Sequence, residues 1–117
     1  MKKLKSVWIA LLLVVIATLG ACAPKYSFVE EPSLRWDYSQ YLGYSAYVDG
    51  VLRNDSGSDW DYVQIEFSIY DQNGRNLGTA FDNANNISAG DTWQFEAFLF
   101  NAKNMPYSFK LKEVSAW

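Results

Sequence analysis

One segment of the sequence, Val63 to Ile69, alternates apolar and polar side chains without a break. Because successive side chains of a strand point to opposite faces, this alternation predicts a strand with one face in a core and the other in water. The same alternation recurs in residues 93–97 and 107–112. Beyond residue 22, no stretch has apolar residues at helical spacing over more than about one turn. The sequence therefore predicts an all-β fold.

Segments rich in Asn, Asp, Ser and Gly separate the alternating runs, and we expect turns at residues 54–59, 71–74, 83–86 and 89–91. The pair Asn73-Gly74 tolerates the positive φ that a tight hairpin requires. Regularly spaced strands with turns between them predict an antiparallel sandwich or barrel. We expect a β-sandwich.

The N-terminus has the pattern of a signal peptide. Lys2, Lys3 and Lys5 precede Val7–Ala17, a stretch without a polar side chain. This stretch is shorter than the ~18–20 residues that a permanent membrane helix needs. A short apolar segment between lysines and small residues predicts a cleaved signal helix, with an uncleaved membrane anchor as the alternative.

The segment Leu19-Gly20-Ala21-Cys22 resembles the bacterial lipobox. This resemblance implies that a diacylglyceryl group is attached to the sulfur of Cys22 and that the chain is cleaved before it. Cys22 is the only cysteine, so it cannot form an intramolecular disulfide. We therefore predict a signal peptide at 1–21, a tether at 22–27 and a folded domain at 28–117. The domain would be lipid-anchored on the extracytoplasmic face of the cell membrane, or of the outer membrane in a host with two.

The charge of the chain limits its partners. Without the three N-terminal lysines, seven Lys and Arg face thirteen Asp and Glu, a net charge of −6. Nucleic acids and anionic lipid surfaces are bound by clusters of Lys and Arg, and the sequence after the signal-peptide pattern has no such cluster. We expect no nucleic-acid partner.

The residue types present leave little room for catalysis. The chain has no histidine, and its one thiol is assigned to the anchor, which removes His-based acid–base catalysis, Cys–His nucleophiles and the usual zinc sites. We expect no cofactor and no catalytic residue. A hydrolase that uses a carboxylate pair from Asp55, Asp59 and Asp61 is one alternative. A calcium site in the oxygen-rich loop Asn54–Asp61 is another.

Aromatic residues crowd residues 36–62. They either fill the core of a small sandwich without disulfides or form a recognition surface. Alternation places Tyr44 towards the core and Tyr47 on the opposite face. Trp60 and Tyr62 are out of phase with the core positions of the following strand, which predicts that they point away from the core. Our candidate binding residues are Tyr47, Trp60 and Tyr62.

The run Phe67-Ser68-Ile69-Tyr70-Asp71 resembles the F-x-L-Y-D signature of the FxLYD domain, with Ile69 in place of leucine. Gly50–Ser56 is similar to the upstream G-x-V/L-x-N-x-S element of that family, and Ile87–Gly90 followed by Phe95 to its downstream element, with Ala89 replacing proline. The resemblance covers about residues 45–109. It implies an immunoglobulin-like sandwich of about seven strands, found on secreted and lipid-anchored bacterial proteins. It implies no activity.

These observations together predict a membrane-anchored, non-enzymatic binding or accessory module. Its partners would be the membrane, through Cys22, and an envelope protein or a glycan. A domain that binds glycan or peptidoglycan through exposed aromatic residues is the first alternative. The carboxylate-based hydrolase is the second.

Overall fold

The computed structural model describes residues 24–117, which form six antiparallel strands and no helix. The strands are β1 (Tyr26–Ser39), β2 (Gly43–Asn54), β3 (Trp60–Tyr70), β4 (Asn76–Ile87), β5 (Thr92–Ala102) and β6 (Ser108–Ala116). They lie in one curled sheet in the order β1-β2-β5-β4-β3-β6. Within this part of the chain, no helix is long and apolar enough to cross a membrane. The predicted signal peptide and Cys22 lie outside the described residues.

The all-β prediction is confirmed for the described residues, and the alternating segments form strands. In β3, the apolar residues Val63, Ile65, Phe67 and Ile69 are fully buried, while the polar residues between them reach the opposite face. In β5, Trp93, Phe95 and Ala97 are buried in the same way. The third alternating segment forms most of β6. These side chains form a single hydrophobic core.

The sheet curls because β4 and β5 are joined at one point. Their ladder is a single residue pair, Phe81 and Phe98. Beyond that pair, the Glu96 N–H donates to the Asp82 carboxylate (2.8 Å) instead of to a backbone carbonyl of β4. The inner faces of the two halves then meet, and the rings of Phe67 and Phe95 stack with centroids 5.8 Å apart. The curl thus lets one sheet enclose its own core.

The predicted turn at 71–74 is confirmed as the connection between β3 and β4. The Gly74 N–H donates to the Asp71 carbonyl oxygen (3.0 Å), and Gly74 has φ +80°. The Asp71 carboxylate accepts the N–H groups of Asn73 and Arg75, both at 2.9 Å. Both the backbone and the side chain of Asp71 therefore fix this turn.

Two expected boundaries differ from the structure. The turn predicted at residues 83–86 is wrong: β4 continues to Ile87, because it pairs with β3 along this segment, Gln64 with Asn83 and Tyr62 with Asn85. At the N-terminus, β1 begins at Tyr26, inside the segment assigned to the tether, since Tyr26 pairs with Asn54 at the end of β2.

Candidate functional site

Tyr47 lies on the outer face of the sheet, as alternation predicts. Its ring is half-buried under Arg35, whose guanidinium carbon is 4.2 Å from the ring centroid. Arg35 comes from β1, where it pairs directly with Tyr47 across the β1–β2 ladder. On the other side of β2, Tyr47 pairs with Phe98 of β5.

A row of aromatic side chains continues from Tyr47 across the outer face. Phe98 stacks on Phe81 of β4 (6.4 Å between centroids) and contacts Phe100 of its own strand (4.8 Å). Phe81, Phe98 and Phe100 are 43, 38 and 47 % exposed. We call Tyr47, Phe81, Phe98 and Phe100 the aromatic row. Large apolar rings that are grouped and exposed are typical of interaction sites, whereas single exposed apolar residues are ordinary.

Charged side chains border one end of the aromatic row. The Arg35 guanidinium donates to Asp49 (2.8 Å) and to Glu96. The hydrogen bond to Asp49 is the main reason that the pKa of Arg35 lies above its ordinary value. Two carboxylates therefore hold the Arg35 guanidinium over the Tyr47 ring. Arginine that stacks on an aromatic ring is a frequent anchor in protein interfaces.

The prediction for Trp60 is wrong. Its side chain is only 4 % exposed and belongs to the hydrophobic core. Trp60 is the first residue of β3 and follows the loop that Asn54 organises, so the alternation inside the strand does not fix the direction of its side chain. Trp60 therefore packs in the core and does not point away from it.

Tyr62 is half-buried at the same end of β3. Its ring packs against Trp117 (5.3 Å between centroids), and its hydroxyl donates to the Gln64 side chain (2.9 Å). Two strands, β5 and β4, separate Tyr62 on β3 from Tyr47 on β2. The structure therefore does not bring the candidate binding residues together. Tyr47 is the only one of the three that lies in the aromatic row.

Tyr44, which alternation places towards the core, is half-buried under two neighbouring rings. Its centroid lies 4.9 Å from that of Tyr38 and 5.7 Å from that of Trp36. These rings face the inner side of the sheet, because Trp36 pairs with the buried Ala46. They belong to a second aromatic group, at the β1–β2 hairpin, which is distinct from the aromatic row.

Sequence reasoning missed three of the four members of the aromatic row. For Phe98 and Phe100 a signal was available, since both are in phase with the polar residues Gln94 and Glu96 on the outer face of β5. The signal for Phe81 was hidden, because β4 has many small and polar residues and no clear alternation.

A shallow cleft of about 340 Å³ opens where β1 bulges away from β2. Four carboxylates line it, those of Glu30, Glu31, Asp49 and Glu96. Two of the four are already paired with Arg35. A glycosidase needs one carboxyl group that remains protonated and a second that is free to act as base or nucleophile. The ion pairs with Arg35 make Asp49 and Glu96 poor candidates for either role.

The loop suggested as a calcium site has internal partners for its polar side chains. The fully buried Asn54 donates to the carbonyl oxygens of Ser58 (2.8 Å) and Ile87 (3.0 Å). Hydrogen bonds from Ser27 and Arg53 lower the pKa of Asp55, and Asp59 accepts the Ala89 N–H. Across residues 24–117, no group of three or more acidic, Cys or His side chains is arranged to hold a metal ion.

No family model, curated protein or solved structure matches this chain.

Proposed function

We propose that this chain is an extracytoplasmic lipoprotein, anchored to the membrane through Cys22, whose β domain is a non-enzymatic binding or accessory module. The lipobox-like segment and the single cysteine support the anchor. Because β1 begins at Tyr26, only three residues separate the proposed anchor at Cys22 from the folded domain. Because an extended chain spans at most ~3.6 Å per residue, the domain would sit within about 15 Å of the lipid.

We further propose that the curled sheet is a variant of the immunoglobulin-like sandwich of the FxLYD family. Its two halves, β1-β2-β5 and β4-β3-β6, face each other across one core. The residues that resemble the family signature have structural roles that support this assignment. Phe67 and Ile69 fill the core, Asp71 fixes the following turn, and Asn54 and Ser56 organise the loop before β3.

The observation that carries the binding function is the exposed aromatic row beside Arg35. Three exposed phenylalanines in contact with one another contribute little to the core, yet each presents apolar surface to water. At ~25 cal/mol per Å² of apolar surface, covering such a group on association is favourable. An aromatic patch beside a well-oriented arginine fits an interface with another protein. An envelope protein is therefore our preferred partner.

A glycan partner is the second candidate, because exposed aromatic rings also stack on sugars and polar groups lie nearby. The composition of the row favours protein, however. Three of its members are Phe, which lacks the hydroxyl group that a sugar would use. The third candidate, a hydrolase, needs a free carboxylate pair, and the loop carboxylates proposed for it include Asp55, which binds Ser27 and Arg53, and Asp59, which accepts the Ala89 N–H. In the cleft at the β1 bulge, Arg35 likewise already pairs with two of the four carboxylates.

The anchor is tested by replacing Cys22 with Ser. We expect the variant to lack the acyl mass and to move from the detergent phase to the aqueous phase in a detergent partition. A variant that stays in the detergent phase with unchanged mature mass would show that the lipoprotein assignment is wrong.

The binding site is tested by photo-crosslinking in intact cells. A benzophenone amino acid at position 98 keeps an aromatic group in the row, and the same amino acid at Tyr107, an exposed ring elsewhere, is the matched control. We expect a discrete crosslinked protein from position 98 alone, and at least a tenfold loss when Tyr47 and Phe100 are also changed to Ala. Equal products from both positions, or none from position 98, would contradict the proposal.

A further inference from the structure

The β1–β2 hairpin ends in an uncharged aromatic tip. Residues 38–48 contain no charged side chain, although charged residues make up 20 % of the sequence. At the turn, Tyr41 is 86 % exposed, and Leu42 and Tyr38 are also exposed. The Tyr38 ring packs against Tyr44, which in turn packs against Trp36. We call these five residues the hairpin tip.

Carboxylates are sparse at this end of the molecule. Tyr44 pairs with Ala102, so Lys103 follows directly beside the tip, and Arg75 lies in the turn at the same end of the sheet. Asp71 is buried and accepts hydrogen bonds within its own turn, whereas Asp37, between Trp36 and Tyr38 in the sequence, is an exposed carboxylate at this end. Most of the exposed aspartates lie at the opposite end of the sheet, beside the start of β1: Asp55, Asp59, Asp61 and Asp91.

The tip and the predicted anchor lie at the two ends of one strand. β1 begins at Tyr26, shortly after Cys22, and ends at Ser39 in the hairpin. The molecule is 45 Å long in its greatest dimension, whereas the segment between Cys22 and β1 spans about 15 Å at most. The tip can therefore touch the anchoring membrane only if the domain lies along that membrane.

We propose that the hairpin tip rests in the lipid–water interface of the membrane that holds the Cys22 anchor, as a second contact of the domain with that membrane. This inference rests on the proposed lipid anchor. Tyr and Trp rings have an apolar body and a polar edge, and they are enriched at the level of the lipid headgroups. Leu42 adds an exposed aliphatic group in the turn, next to Tyr41. The sparse carboxylates remove the repulsion that an acidic chain would otherwise meet at a lipid surface.

Tethering makes a weak contact of this kind sufficient. An anchored domain always has the bilayer within reach, so the second contact forms at a high effective concentration. The Trp36, Tyr38 and Tyr44 rings lie on the inner side of β1 and β2, and the aromatic row lies on the outer side. A domain held by its tip and its anchor therefore keeps the aromatic row open to a partner.

The experiment uses the lipidated protein in vesicles of phosphatidylcholine. Because acylation blocks the sulfur of Cys22, a cysteine introduced by Gln40→Cys is the only free thiol and accepts an environment-sensitive dye. We expect a blue shift of the dye emission and quenching by brominated acyl chains. The control, Gln94→Cys, labels an exposed position on the outer face of β5 and should give the spectrum seen in water.

A second variant tests the tip side chains. In the Gln40→Cys background, Tyr41→Ser with Leu42→Ser should abolish the quenching while the protein remains in the vesicles through its lipid. An aqueous spectrum at position 40 in the parent, or quenching that survives both serines, overturns the proposal. So does a dye at position 40 that responds to peptidoglycan fragments and not to lipid. If the protein without an added cysteine takes up the dye, Cys22 is unacylated, and both the anchor and this second contact are refuted.

Discussion

Asp71 is a charged residue that is almost completely buried, and its hydrogen bonds explain how this is tolerated. One carboxylate oxygen accepts the N–H groups of Arg75 and Asn73, and the other accepts the Asn104 side chain (3.2 Å). These bonds, led by the one from the Arg75 N–H, hold the pKa of Asp71 below its ordinary value. Asp71 thus ties the β3–β4 turn to the loop before β6.

Replacement of Asp71 by Asn should destabilise the domain at neutral pH, since an amide cannot accept the same bonds as strongly as a carboxylate. Because the folded-state pKa is depressed, the stabilisation by Asp71 is fully present above its unfolded pKa of about 3.9 and is lost as the pH falls through the folded-state value. Denaturation midpoints of parent and Asp71→Asn measured at pH 7 and at pH 2.5 should therefore converge at the lower pH. A constant difference would contradict this role of the charge.

Asn54 has a similar role without a charge. Its side chain donates to two carbonyl oxygens and accepts from the amide and hydroxyl groups of Ser56. We expect Asn54→Ala to cost roughly 2–4 kcal/mol of unfolding free energy, because it leaves several buried polar groups unpaired. The exposed Asn85→Ala is the control and should change stability by less than ~0.5 kcal/mol. Equal effects in urea denaturation would show that the Asn54 bonds are unimportant.

At the scale of the elements, the face of the sheet on which an aromatic ring lies decides how much the ring contributes to the stability of the domain. Phe67→Ala should cost ~3–5 kcal/mol, because Phe67 is fully buried between Phe95 and Phe109. Phe98→Ala deletes the same atoms from the exposed outer face and should cost well under half as much. Urea denaturation of both variants measures the difference. A loss below ~1 kcal/mol at Phe67 would contradict the observed register of β3.

The hairpin between β3 and β4 depends on Gly74. No atom outside its neighbours lies within 4 Å of where a Cβ would be, so backbone conformation alone decides which residues fit at φ +80°. Gly74→Val should destabilise the domain by more than ~1 kcal/mol, since a β-branched residue resists positive φ. Gly74→Asn is the matched control and should be milder, because Asn adopts this conformation more readily. Equal thermal midpoints for the two variants would mean that the turn can rearrange.

The sequence predicted those elements in which alternation and burial coincide. In β3, β5 and most of β6, one face meets the core and the other meets water, so the pattern is visible residue by residue. β1 and β4 could not be predicted in this way. β1 is an edge strand with bulges around Glu30–Ser33. The second half of β4 is rich in Asn, a residue typical of turns, and its pairing with β3 keeps it in the sheet. The aromatic row depends on the junction between β4 and β5, which is a tertiary contact without a local signal.

At the scale of the whole molecule, the open edges of the sheet are β1 and β6. An unpaired edge invites pairing with other chains unless charges or bulges interrupt it. β1 has Glu30, Glu31 and Pro32 at its bulge. β6 has Lys110 and Lys112, and its register with β3 shifts just before Glu113. Both edges thus have features that disfavour further pairing.

The curled sheet should unfold as one unit, although its halves share a single ladder pair. Trp93 lies in β5 and Trp60 in β3, so the two indoles report on opposite halves, and both belong to the common core. Because neither half can bury its inner face without the other, we expect two-state behaviour. With 5-fluorotryptophan incorporated, the ¹⁹F signals of Trp60 and Trp93 should disappear at the same urea concentration. Assignment comes from Trp60→Phe and Trp93→Phe. Midpoints separated by more than the fitting error would mean that the halves are independent units and that the Phe67–Phe95 stack does not couple them.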